Sequence, residues 1–143
     1  MTRQTLMIAE RDPMMRRLFL RWHARHGQGL IESLDVDGED FSMRGAIEAR
    51  LARLPTHPPC GVVVLAHASL VELDLLRMLK VFARTQEVRV RVVVMCGALS
   101  TFHMEWPDLT TWMHAHHRTG EFEPVWLERP FELGTLHAMC HLS

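Results

Sequence analysis

The sequence predicts an α/β protein built on a five-stranded parallel sheet, doubly wound with helices on both faces. Three observations carry this. Short apolar runs alternate about five times with longer stretches of helical periodicity, the order of a parallel sheet. The run Gly61-Val62-Val63-Val64-Leu65-Ala66 is unbroken and rich in β-branched residues, as suits a strand covered on both sides. Finally, Asp12-Pro13 and Pro130 stand where helices should begin after strands.

Leu6-Met7-Ile8-Ala9 is the expected first strand. Asp12 is a good N-cap and Pro13 suits the first turn, so a helix follows, with Met15, Leu18, Phe19 and Trp22 as its apolar stripe. Gly27 and Gly29 end it. Residues 29–34 make a short second strand, and the acidic stretch 35–40 is turn-like. Residues 43–54 read as a helix with Ile47, Leu51 and Leu54 on one side, stopped by Pro55, Pro58 and Pro59. After the strand at 61–66, residues 69–84 form the strongest helix. Val71, Leu75, Met78, Leu79 and Phe82 are its core stripe. Leu70, Leu73, Leu76 and Val81 fall off that stripe, among Glu72, Asp74, Arg77, Lys80 and Arg84. Such surplus apolar surface implies either a partner or cover by a neighbouring loop. Residues 88–96 are the next strand and 97–100 a loop. Residues 107–117 are helical up to Gly120, and Val125-Trp126-Leu127 is a short strand. Pro130 opens a last helix running nearly to Ser143, with Leu133, Leu136, Met139 and Cys140 inward or at its edge.

A chain of 143 residues fits one domain, 1–143, and 48% hydrophobic with 23% charged residues suits an ordinary core. Sixteen Lys and Arg stand against 17 Asp and Glu, a net charge of -1 with no basic block, so no nucleic-acid surface is expected. Cys60, Cys96 and Cys140 are an odd, scattered set that makes no disulfide framework and fits a reducing cytoplasm. Glu10 and Arg11 interrupt the N-terminus before any signal-length apolar run, and no run is long enough for a bilayer. A soluble cytoplasmic protein without membrane contact is expected.

Three segments add a more specific pattern: Ala9-Glu10-Arg11-Asp12-Pro13, Val62 to Ala66, and Leu127-Glu128-Arg129-Pro130-Phe131. In this order and spacing the chain resembles, over essentially its whole length, the receiver domain of bacterial two-component response regulators. Ala9 to Pro13 is similar to the acidic cluster closing a receiver's first strand. Val62 to Ala66 resembles the strand ending at the phosphoacceptor, and Leu127 to Phe131 resembles the Lys-Pro-Phe motif before the last helix. The resemblance implies a flavodoxin-like three-layer sandwich and a role in signal transduction by phosphorelay.

A working receiver needs an Asp nucleophile, two acidic residues for Mg²⁺, a Thr or Ser, and a Lys. Matched to that pattern, the acceptor falls on Ala66, or on His67 one residue later. The acidic pair becomes Glu10 and Arg11, the Thr becomes Cys96 or Gly97, and the Lys becomes Arg129. Asp12 keeps acidic character beside Glu10. Arg11 and Arg129 can pair with these acids without any ion. Arg11 is expected either to fill the metal's place or to point to solvent. The resemblance thus implies a pseudo-receiver with no catalytic residue, no cofactor and no enzymatic activity. It would act through a protein partner: a histidine kinase, another regulator or an output protein. Ending at its last helix, the chain is expected to carry no DNA-binding output domain. A homodimer through the face holding the last helix follows by the same analogy. The rival readings are a phosphorelay regulator using an unusual acceptor such as His67, and a His-rich metal- or ligand-sensing module.

Ten histidines are the ground for the last of these. His114, His116 and His117 lie close together, His137, Cys140 and His141 share a helical face, and His23 and His26 are three apart. Such spacings can bind Zn²⁺ or Ni²⁺, although a solvated face or a cation at a helix C-terminus explains them as well. No nucleophile motif accompanies His67 and Ser69, and no Gly-rich phosphate loop is present. The stretch at 98–123 is longer than in a typical receiver, and with the helix at 69–84 it supplies Phe102, Trp106, Trp112, Leu73 and Val81 as a candidate partner surface.

Overall fold

The computed structural model describes residues 4–26, 29–34, 36, 42–53, 61–98, 103–116 and 121–142. Its elements run β1 (Gln4–Ala9), α1 (Pro13–His26), β2 (Leu30–Ser33), α2 (Met43–Leu51) and β3 (Gly61–His67). A 3-10 turn at Ala68–Leu70 leads to α3 (Leu73–Gln86), β4 (Arg89–Cys96), α4 (Pro107–His116), β5 (Phe122–Glu128) and α5 (Leu133–Met139). The strands are all parallel, in the order β2-β1-β3-β4-β5, a flavodoxin-like sheet.

Strand alternation divides the core in two. Met7, Val62, Val64, Val92 and Val94 point to the face covered by Ile47 of α2, Leu75, Leu76 and Leu79 of α3, and Leu109 and Met113 of α4. Leu6, Ile8, Val63, Leu65, Val93 and Met95 point to the other, against Phe19 and Trp22 of α1 and Leu136 and Cys140 of α5. The central strands are apolar on both sides because both sides are covered.

Caps explain where helices begin. Asp12 Oδ1 accepts from Met14 N at 3.0 Å, so Asp12 and Pro13 do open α1. Ser42 Oγ accepts from Gly45 N at 3.2 Å and opens α2. Expectation and structure part at α3. It starts at Leu73 and not at Ser69, because Val71 and Glu72 are extended after the 3-10 turn. That shift rotates the buried face. Leu76 is fully buried, Leu70 and Val71 are buried ahead of the helix, and Val81 is 64% exposed.

The last helix is shorter than expected. Glu132 is extended and serves as its N-cap, so Pro130 stands outside it, and Leu133 is exposed, not inward. The fifth strand is longer than Val125–Leu127, because register with β4 continues from Phe122 to Glu128. Leu18 is half-exposed, so the α1 stripe narrows to Phe19 and Trp22 with Met15 at its edge. Gly27, Leu54, Pro55, Pro58, Pro59, Cys60, Phe102, His117 and Gly120 lie outside the described residues. Among the described residues no helix is long and apolar enough to cross a membrane.

Candidate functional site at the carboxyl edge of the sheet

In an open parallel sheet, ligands gather beyond the carboxyl ends of the strands, where successive connections leave in opposite directions. Here that place lies between β1 and β3, since β2 flanks β1 on the outside. The register pairs Ala9 with Ala66, His67 with Met95 and Cys96 with Glu128, which brings Glu10, His67, Gly97 and Arg129 to one edge.

Glu10 is the buried acid of this edge, 7% exposed. Its Oε1 accepts from the Asp12 backbone N at 3.1 Å. Its Oε2 lies 3.6 Å from Arg129 Nη2, an ion pair beyond hydrogen-bond distance. The Glu10 carbonyl accepts from both Arg16 Nε at 3.1 Å and Arg16 Nη2 at 2.9 Å, which fixes the turn after β1. Arg129 is held in turn, its backbone N donating to the Cys96 carbonyl at 2.9 Å, and its bond to Pro130 is cis. Two guanidinium groups therefore flank Glu10, one on its backbone and one on its carboxylate.

Arg11 is not one of them. It is exposed, and among the described residues no ion pair joins it to Glu10 or Asp12, which corrects the expectation that it fills a metal's place. Arg129, on the loop after β5, is the cation that reaches the Glu10 carboxylate. Asp12 is exposed, with one carboxylate oxygen committed to capping α1. Arg16 escaped notice in the sequence. Its signal was the spacing of four from the N-cap Asp12, since a helical side chain leans back toward the preceding turn.

Ala66 has no exposed surface and belongs to the core under α2, α3 and α4. Cys96 is equally buried. Its Sγ donates to the Leu127 carbonyl at 3.8 Å, and burial pushes its thiol up, with Glu128 adding to the effect and Arg129 opposing it. Gly97 is exposed in open space.

His67 closes β3. Its Nδ1 accepts from Ser69 N at 3.1 Å and lies 2.8 Å from Ser69 Oγ, and its ring meets Trp106 edge-on at 6.2 Å. The Nδ1 contact caps the 3-10 turn and leaves the neutral ring's proton on Nε2. Burial lowers its pKa first and Arg129 second, while Glu10 and Glu105 pull the other way. Among the described residues no carboxylate hydrogen-bonds the ring, so His67 and Ser69 lack the orienting third group of an activated nucleophile.

The resemblance to receivers implies Mg²⁺ at this edge, and the donor set does not fit it. A hard divalent ion takes several oxygen ligands, whereas one buried carboxylate stands here with a guanidinium 3.6 Å away and a methyl group at the acceptor position.

The histidine clusters come apart. His137 and His141 stack at 5.0 Å, and His137 also meets Trp22 edge-on at 5.8 Å. Cys140 turns away into the core, where burial pushes its thiol up to about 12. His114 lies against Trp126 and His103, while His116 stacks on Trp112 at 4.1 Å. His23 is buried and His26 exposed. Among the described residues no group of three or more His, Cys, Asp or Glu is placed to hold a metal ion. Of the surface candidates, Trp106 and Leu73 are half-buried against the core, whereas Val81 and Trp112 meet at a groove between α3 and α4.

A comparison with protein-family models gives no match, and neither does a comparison with curated proteins.

Proposed function

We propose that this chain is a pseudo-receiver, a signalling module that is not phosphorylated and acts through protein contacts. The observation that carries the reading is Ala66. It stands at the carboxyl end of β3 with no exposed surface and offers neither a nucleophile nor a metal-binding oxygen. The ion pair of Glu10 with Arg129 at 3.6 Å supports it, since the one buried acid already has a counter-charge. A histidine kinase, another regulator or an output protein is the class of partner that follows from the resemblance.

The test is a backbone amide NMR titration with Mg²⁺ and beryllofluoride, the phosphoryl mimic that a receiver's Asp traps. No change is expected at Glu10, Ala66 or Arg129. Specific, saturable shifts there would overturn the reading. So would a phosphoryl adduct on His67 after phosphodonor treatment, detected by intact mass at neutral pH.

A further inference from the structure

α3 and α4 face one another across an open groove of about 430 Å³. From α3 it takes Arg77, Lys80, Val81 and Arg84, which fall on one helical stripe turned away from the buried Leu75, Leu79 and Ala83. From α4 it takes Trp112 and His116, stacked at 4.1 Å and 22°. Phe122 meets Trp112 edge-on at 5.8 Å and holds the indole plane. Lys80 Nζ lies 2.7 Å from His116 Nδ1 and ties the two helices across the groove.

The chemistry of the groove is one-sided. Three cations line it. Asp74, which is not among the residues lining the groove, lies 3.6 Å from Arg77 in an exposed pair one helical turn apart. Among the described residues no acid pairs with Lys80 or Arg84. General basicity does not explain this, because the whole chain has a net charge of -1. Amid the cations stands Val81, 64% exposed, next to a half-buried tryptophan face.

The geometry points to a docking site for an acidic segment of a partner protein that carries an apolar or aromatic side chain. This deepens the protein-contact reading above and rests on it. Carboxylates would meet Arg77, Lys80 and Arg84 by charge complementarity, and the apolar side chain would lie on Trp112 and Val81. A second copy is a poor occupant, because a two-fold interface through this face sets the same three cations against themselves. Duplex DNA is a poor one too, since three cations in a chain of net negative charge make a short phosphate footprint.

The test uses a fluorescein-labelled synthetic peptide of repeated glutamates around a single phenylalanine, added to the ¹⁵N-labelled full chain. Saturable shifts are expected at Lys80, Val81, Arg84 and the Trp112 indole, weakening with salt. The double variant K80E/R84E should lose affinity about tenfold while keeping the wild-type amide pattern elsewhere. A peptide lacking the phenylalanine should bind more weakly. Three outcomes would overturn the inference: no shift in the groove, equal binding by K80E/R84E, or tighter binding of a short DNA duplex to the same residues. The beryllofluoride titration is read separately. A silent groove beside an inert pocket removes only the docking site, and a responsive pocket beside a peptide-binding groove removes only the pseudo-receiver reading.

Discussion

At the scale of single residues, the carboxyl edge is governed by where charges are buried. The pairing of Glu10 with Arg129 was legible only through the receiver-like pattern, because the two residues follow β1 and β5, which β3 and β4 separate in the sheet. The direction of Arg11 was not, since a loop residue's orientation depends on the path taken after the strand. His67 yields a prediction with a definite sign. Burial, reinforced by Arg129, holds its pKa below the ordinary 6.5, so the unfolded chain takes up a proton first as pH falls. The contribution of the neutral ring is fully present above about pH 6.5 and is lost as pH falls through the lowered folded value. The groups facing it are Arg129, Glu10 and Glu105. His67→Asn keeps an acceptor for the Ser69 N–H and removes the titration. Urea midpoints between about pH 7.5 and pH 5 should therefore fall less steeply for His67→Asn than for the wild type. Parallel slopes would show that His67 titrates alike in both states.

At the scale of elements, periodicity identified the five strands and the five helices α1 to α5 but not the helical turn at 103–105, and the ends were misjudged where backbone geometry decides. The start of α3 depends on two extended residues after a side-chain cap, and apolar spacing carries no sign of them. Leu76 therefore looked like surplus surface and is core. The entry to β2 is decided the same way. Gly29 has φ +79°, and a Cβ there would fall onto the backbone carbonyl of Gln4, which cannot yield as a side chain can. Gly29→Ala should cost more than about 1 kcal/mol, from the left-handed backbone and from the displacement of β1. In a thermal melt this is a fall of at least about 3 °C. Gly97→Ala is the matched control. Its Cβ meets open space, and stability should stay within about 0.5 kcal/mol of the wild type. Equal melting temperatures for the two variants would remove the steric account of Gly29.

At the scale of the whole molecule, the parallel doubly wound sheet was legible because both faces of β3 and β4 must be covered, and that requirement shows as unbroken apolar runs. What joins the chain's two ends was not legible, because its parts are 136 residues apart. Gln4, 7% exposed, donates from Nε2 to the Cys140 carbonyl at 2.6 Å and accepts on Oε1 from Leu142 N at 2.9 Å. Arg91 adds a further clamp, its Nη1 donating to the Met139 carbonyl at 3.0 Å, where a cation also suits the end of α5. Gln4→Leu would leave a buried carbonyl and an N–H without partners, a loss of about 2 kcal/mol. Gln4→Glu keeps the acceptor for Leu142 and loses the donor to Cys140, setting a carboxylate against a carbonyl, so it should be no milder. If the clamp is local, hydrogen exchange in Gln4→Leu will speed up most across residues 136–142, with α3 changed only by the global loss. Uniform acceleration through the molecule would mean that the C-terminal segment unfolds only with the whole sheet. Unchanged exchange at 136–142 would mean that Gln4 does not hold it.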